Sequence, residues 1–145
     1  QIRNFAAANS DLSLLVYETL AGLRLVVSSR SYSAVDSDAQ ALFEQLSCDP
    51  LYVKLCRAQS SFRARLTPKP WRIGYSRPPN NFPREERAAQ SAFHSWLKGY
   101  EQQSRGYAVC KLVEKIGSER TTAEAERILQ HHDRYTLGST KQPLA

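Results

Sequence analysis

Apolar and polar residues follow two rhythms along this chain, and together they lay out its elements. Residues 12–19 (LSLLVYET) and 23–29 (LRLVVSS) are rich in aliphatic and β-branched side chains, with Ala21-Gly22 between them as a permissive turn, so they predict a β-hairpin. Alternation in the second strand puts Leu23, Leu25 and Val27 on one face and Arg24 and Val26 on the other. Ser37-x-x-Gln40 reads as a capping box opening a short helix to about residue 47, with Ala41, Leu42 and Leu46 as its apolar stripe. Asp49-Pro50 is a second start signal, an aspartate cap before proline at the first helical position, and Leu51, Val53 or Lys54, Leu55 and Ala58 place one apolar face toward the core.

The run from Phe62 to Arg72, FRARLTPKPWR, returns to period two. As a strand it places Phe62, Ala64 and Leu66 on one side and Arg63 and Arg65 on the other, the side to which Arg24 is also assigned. Gly74, Pro78, Pro79, Asn80, Asn81 and Pro83 then resist both regular structures, which predicts a loop over 74–84 free to act as a flap. Residues 85–104 are helical by period, with Ala89, Phe93, Trp96 and Tyr100 on one stripe that reads as core. A strand follows Gly106, with Tyr107, Val109, Lys111 and Val113 alternating against Ala108, Cys110, Leu112 and Glu114. Thr121-x-x-Glu124 is a second capping box, opening a helix through Ala125, Ile128, Leu129 and His132.

The resulting order is ββααβαβα in a single domain spanning residues 1–145, with residues 1–10 as an arm. It predicts an α+β fold: an antiparallel or mixed sheet of about four strands, with helices packed mainly on one face. A chain of 145 residues can bury a core of its own. No apolar run approaches the roughly 20 residues of a membrane span, so no membrane partner is expected. The absence of methionine and the start at Gln1 suggest a segment of a longer product or a processed one.

Charge sharpens the picture. Residues 1–60 carry five basic and six acidic side chains, whereas residues 61–145 carry fifteen and eight. Between Asp49 and Glu85 there is no acidic residue, yet Lys54, Arg57, Arg63, Arg65, Lys69, Arg72, Arg77 and Arg84 all fall there. An anionic partner is expected for such a segment: nucleic acid or a phosphorylated ligand. Two residues of strand separate Arg63 from Arg65 by about 6.7 Å, close to the spacing of adjacent phosphates; the competing reading is cross-strand pairing with carboxylates. Lys69 sits between Pro68 and Pro70, which stiffen its support. Trp71, beside Arg72, is suited to stacking on a base, or else to plugging the end of a core. Arg24, Arg63, Arg65, Lys69, Trp71 and Arg72 are therefore the candidate ligand-binding residues.

Three cysteines, Cys48, Cys56 and Cys110, match no zinc-module spacing and no visible signal peptide accompanies them. Reduced thiols, no disulfide, no structural zinc and a cytoplasmic location are expected; the weighed alternative is a metal held by Cys110 with His131 or His132. His131, His132 and Asp133 are the one local cluster equipped for acid–base work, with His132 and Asp133 as candidates, although the C-terminal end of a helix is itself reason enough for a histidine. No phosphate-binding glycine loop, nucleophile elbow or cofactor motif is present, and no cofactor is expected.

Asp49-Pro50-Leu51-Tyr52, Cys56 and the 62–72 run, followed late in the chain by His132-Asp133, resemble a signature of uncharacterised bacterial proteins. That resemblance covers most of the chain and implies no activity. The hairpin Thr19-x-x-Gly22-x-Arg24 is distantly similar to that of primase-polymerase domains, with Arg24 where that family has a phosphate-contacting histidine. The resemblance implies a metal-binding Asp-x-Asp pair, and the one such pair is Asp36-x-Asp38, after the hairpin. Three functions follow in order: binding of nucleic acid or a phosphorylated ligand through a basic sheet face, a primase-polymerase-like or other phosphate-handling enzyme, and a protein-interaction module using residues 76–83.

Overall fold

The computed structural model describes residues 1–139 and 141–145. Its elements are α1 (Ile2–Ala8), β1 (Ser13–Thr19), β2 (Gly22–Val27), α2 (Ser37–Gln45), α3 (Pro50–Ala58), a 3-10 turn (Pro70–Ile73), α4 (Arg87–Ser104), β3 (Cys110–Gly117) and α5 (Ala123–Thr136). The sheet is three-stranded and antiparallel in the order β2-β1-β3. The α+β class and the hairpin are as the sequence predicts, but a fourth strand is missing among the described residues.

β1 is the centre of the fold. Ser13 to Tyr17 are all buried, so this strand is covered on both faces, and alternation divides its side chains between two clusters. Leu14 meets Phe5, Ala6 and Leu12, with Leu42 and Leu46 of α2 packed against them. Leu15 and Tyr17 meet Cys110 on the opposite face, where Leu129 of α5 closes the cluster. Helices therefore cover both faces of the sheet, a correction to the one-sided packing expected from element order. The same division explains residues 1–10: rather than a loose arm they form α1, because Phe5 and Ala6 are needed as the lid over Leu14.

The caps of α2, α3 and α5 are read from sequence to within a residue, whereas α4 starts at Arg87, two residues later than its period suggests. Asp49 accepts from the amides of Leu51 (2.7 Å) and Tyr52 (3.3 Å), as the Asp-Pro signal requires. At α2 the cap position is Asp36 rather than Ser37, and Gln40 reaches back to the carbonyl of Ala34. At α5 the cap is Thr122, which accepts from Ala125 N–H, and Glu124 is taken by the Ser31 hydroxyl at 2.6 Å. The last strand starts at Cys110, three residues later than its alternation suggests, because Ala108 and Val109 bond instead to Pro143 and Thr136.

Residues 62–66 keep an alternating sequence yet form no strand. Alternation describes side chains, whereas a strand also needs a partner for its backbone groups. Here a side chain supplies one partner, as Arg24 donates to the carbonyl of Arg65 at 3.0 Å. The segment is extended and exposed, pinned at Phe62 by an edge-on contact with Phe43.

The proline-rich loop is strapped to α4. Trp96 Nε1 donates to the carbonyl of Ser76, Asn80 donates to the carbonyl of Ala89, and the Arg84 guanidinium lies 3.6 Å from the centre of the Phe93 ring while its Nε donates to Asn80. The expected flap is instead a bracket. No helix among the described residues is long and apolar enough to cross a membrane.

Candidate nucleic-acid interface and the buried network behind it

Two constellations contain the candidate residues, and Arg24 connects them. Register in the hairpin sets Arg24 opposite Tyr17, so both side chains project toward α5. From α5, Leu129, His132, Asp133 and Thr136 approach at spacings of three and four. Arg24 Nη1 lies 2.7 Å from His132 Nε2. A guanidinium only donates, so Nε2 must accept, which leaves the imidazole neutral with its proton on Nδ1. That proton faces Asp133 Oδ1 at 2.7 Å, and the same oxygen accepts from the Tyr17 hydroxyl at 2.9 Å. Tyr17 meets the His132 ring edge-on at 4.9 Å.

His132 is 4% exposed and both ring nitrogens are engaged, so in this arrangement neither is open to a substrate. Burial, followed by the bond to Asp133, pushes the Tyr17 phenol well above its ordinary range. Cys110, in the same cluster, is also raised, chiefly by burial, against a lowering effect from the Thr136 hydroxyl and Arg24. His132 and Asp133 are thus brought together with Arg24, as a mutually satisfied network. Tyr17 is the member that sequence reasoning missed; its place opposite Arg24 across a two-residue turn was the available signal.

The second constellation is the run from Arg63 to Arg77. Arg63 and Arg65 are exposed, and neither forms an ion pair among the described residues, where the pairs are Arg3–Glu114 and Lys115–Glu119. They do not lie on a sheet face, since the segment is not in the sheet. It is held from behind by Arg24, which grips the Arg65 carbonyl, while burial pushes the nearby Tyr52 phenol of α3 up to about 12.

Past Leu66 the support is firmer. Tyr100 donates to the carbonyl of Pro68 at 2.5 Å, Pro70 and Ile73 are buried, and Gln103 donates to the carbonyl of Ile73 at 3.2 Å. Gly74, at φ +69°, turns the chain back so that Tyr75 can dock on α4, where a Cβ at Gly99 would collide with the Tyr75 hydroxyl. With Ile73 pointing inward, Trp71 points outward and is 54% exposed. It does not plug the core; Tyr100 and the half-buried Trp96 do. Lys69 Nζ stands 5.4 Å and Arg77 Cζ 5.2 Å from the centre of the Trp71 ring. Arg72 is half-buried on the same turn.

No family model, curated protein or solved structure matches this chain. The site is therefore read from its own chemistry. Among the described residues no three His, Cys, Asp or Glu side chains converge on a position for a metal ion, and the three cysteines are free thiols. Asp36 and Asp38, the pair that the primase-polymerase resemblance singles out, are exposed at the start of α2, on the side of the sheet away from Arg24. A cavity of about 650 Å³ between α2 and α3, lined in part by Phe43, Cys48, Val53 and Arg57, includes none of the candidate residues.

Proposed function

We propose that this domain binds nucleic acid or a phosphorylated ligand through the cationic run that contains Arg63, Arg65, Lys69 and Arg72, with Arg24 as the clasp that positions it. The observation that carries this reading is an extended, exposed pair of arginines without carboxylate partners among the described residues, on a backbone held by the Arg24 and Tyr100 contacts. Cations held on a fixed support lose little freedom when they meet phosphates, and each phosphate neutralised releases counterions. Free thiols accord with a reducing, cytoplasmic setting. A phosphate-handling enzyme built on His132 and Asp133 would require the Arg24 contact to open, and would show itself as metal-dependent turnover.

Replacing Arg63 and Arg65 together by alanine is expected to weaken binding to an oligonucleotide or a polyphosphate while leaving the circular dichroism spectrum unchanged. The slope of log affinity against log salt should become shallower by about one to two, because each lost contact removes about 0.7 to 0.9. An unchanged slope in a folded double variant would remove this segment from the contact surface.

A further inference from the structure

Resting on that reading, we infer that the ligand is single-stranded nucleic acid and that Trp71 is the platform on which one of its bases stacks. Trp71 is 54% exposed on a stiff turn, which is held by Pro68, Pro70, Ile73 and Tyr75 against α4. Its indole N–H makes no hydrogen bond among the described residues, which leaves the edge of the ring uncommitted. Lys69 and Arg77 lie over it, 5.4 and 5.2 Å from the ring centre. A base arriving on the indole takes the place of one of these cations, which then reaches the phosphate of the same nucleotide. The exchange keeps the ring face covered and adds a charge-assisted contact.

The chemistry selects a single strand. In a duplex the base faces are already stacked on one another, and a side chain must unstack them before it can use them. In a single strand they are free, and base–aromatic stacking tolerates any base because every base has a π-face. Arg63 and Arg65, upstream on the extended segment, supply the phosphate track that leads to the platform. A phosphorylated protein or small molecule would use the arginines and leave Trp71 idle.

The test measures binding of a short oligothymidylate, an abasic strand of the same length and a duplex to the wild-type chain, Trp71→Ala and Trp71→Phe, at two salt concentrations. The wild type is expected to prefer oligothymidylate to the abasic strand by about tenfold, the size of one stacked base. Trp71→Ala should bind the two strands alike, Trp71→Phe should restore most of the preference, and the salt slope should be the same in all three. The inference is overturned if the wild type shows no preference for the base-bearing strand, if Trp71→Ala keeps it, or if the duplex binds more tightly than the single strand. Each of those outcomes leaves phosphate binding intact. Should none of the three ligands bind with a salt-dependent affinity, the underlying reading fails as well. Trp71 is exposed, so the alanine variant is expected to fold, and Trp71→Phe decides the matter if it does not.

Discussion

Tyr100→Ala is expected to be among the most damaging single changes in this chain, lowering the free energy of unfolding by about 3–5 kcal/mol. Tyr100 is 6% exposed, stacked 5.0 Å from Trp96 and tilted against Tyr75 at 6.1 Å, and it donates to the carbonyl of Pro68. Truncation removes a large aromatic side chain from a packed cluster and leaves the Pro68 carbonyl without its partner. Tyr100→Phe separates the two effects, since it keeps the stack and removes only the hydroxyl, at a cost of about 1 kcal/mol. Urea unfolding of both variants measures the difference. The phenylalanine variant should also be cut faster by trypsin between Arg63 and Arg77 while its midpoint moves little, because the bond it loses ties that segment to α4. A midpoint for Tyr100→Ala within about 1 kcal/mol of the wild type would show that α4 and the proline segment are not joined through this ring.

That dependence explains which parts of the site could be read in advance. The stripe Ala89, Phe93, Trp96 and Tyr100 is a local regularity, and it forms α4 as its spacing demands. Asp49-Pro50 and the hairpin are likewise local, decided by a few neighbouring residues. The run at 62–66 has the same kind of regularity, but whether it pairs depends on an open strand edge elsewhere, and at that point the Arg24 side chain supplies the contact. The exposure of Trp71 was similarly undetermined: it follows from a 3-10 turn that buries Pro70 and Ile73. His132 and Asp133 read as a pair from adjacency, but the bond between Asp133 and Tyr17 spans most of the chain, and the hairpin register marks Tyr17 only as the neighbour of Arg24.

The second large effect is expected from Asp133. One of its oxygens accepts from both the Tyr17 hydroxyl and His132 Nδ1. Asp133→Ala therefore strands two buried donors, each costing about 1–3 kcal/mol, and should destabilise the fold by roughly 2–4 kcal/mol when the two penalties partly overlap. Asp133→Asn keeps an oxygen in place and should cost less than half as much. Two phenols, Tyr17 in this network and Tyr52 on α3, should make stability fall at alkaline pH. The Tyr17 phenol is held above its ordinary value near 10 first by burial and then by Asp133, and Tyr52 is pushed up to about 12, again mainly by burial. Both folded-state values exceed those of the unfolded chain, so the unfolded chain loses these protons first. Their contribution is complete below pH 10 and declines as pH rises through the folded values. Unfolding midpoints should accordingly hold steady with respect to these two groups up to about pH 10 and fall between pH 10 and about 12. Tyr17→Phe, less stable than the wild type at pH 7 by about 1 kcal/mol, should show a shallower decline over that window because one of the two titrations is gone. If wild type and Tyr17→Phe lose stability in parallel from pH 10 upward, the Tyr17–Asp133 bond does not hold the phenol protonated, and the neutral His132 arrangement built around the same carboxylate loses its anchor.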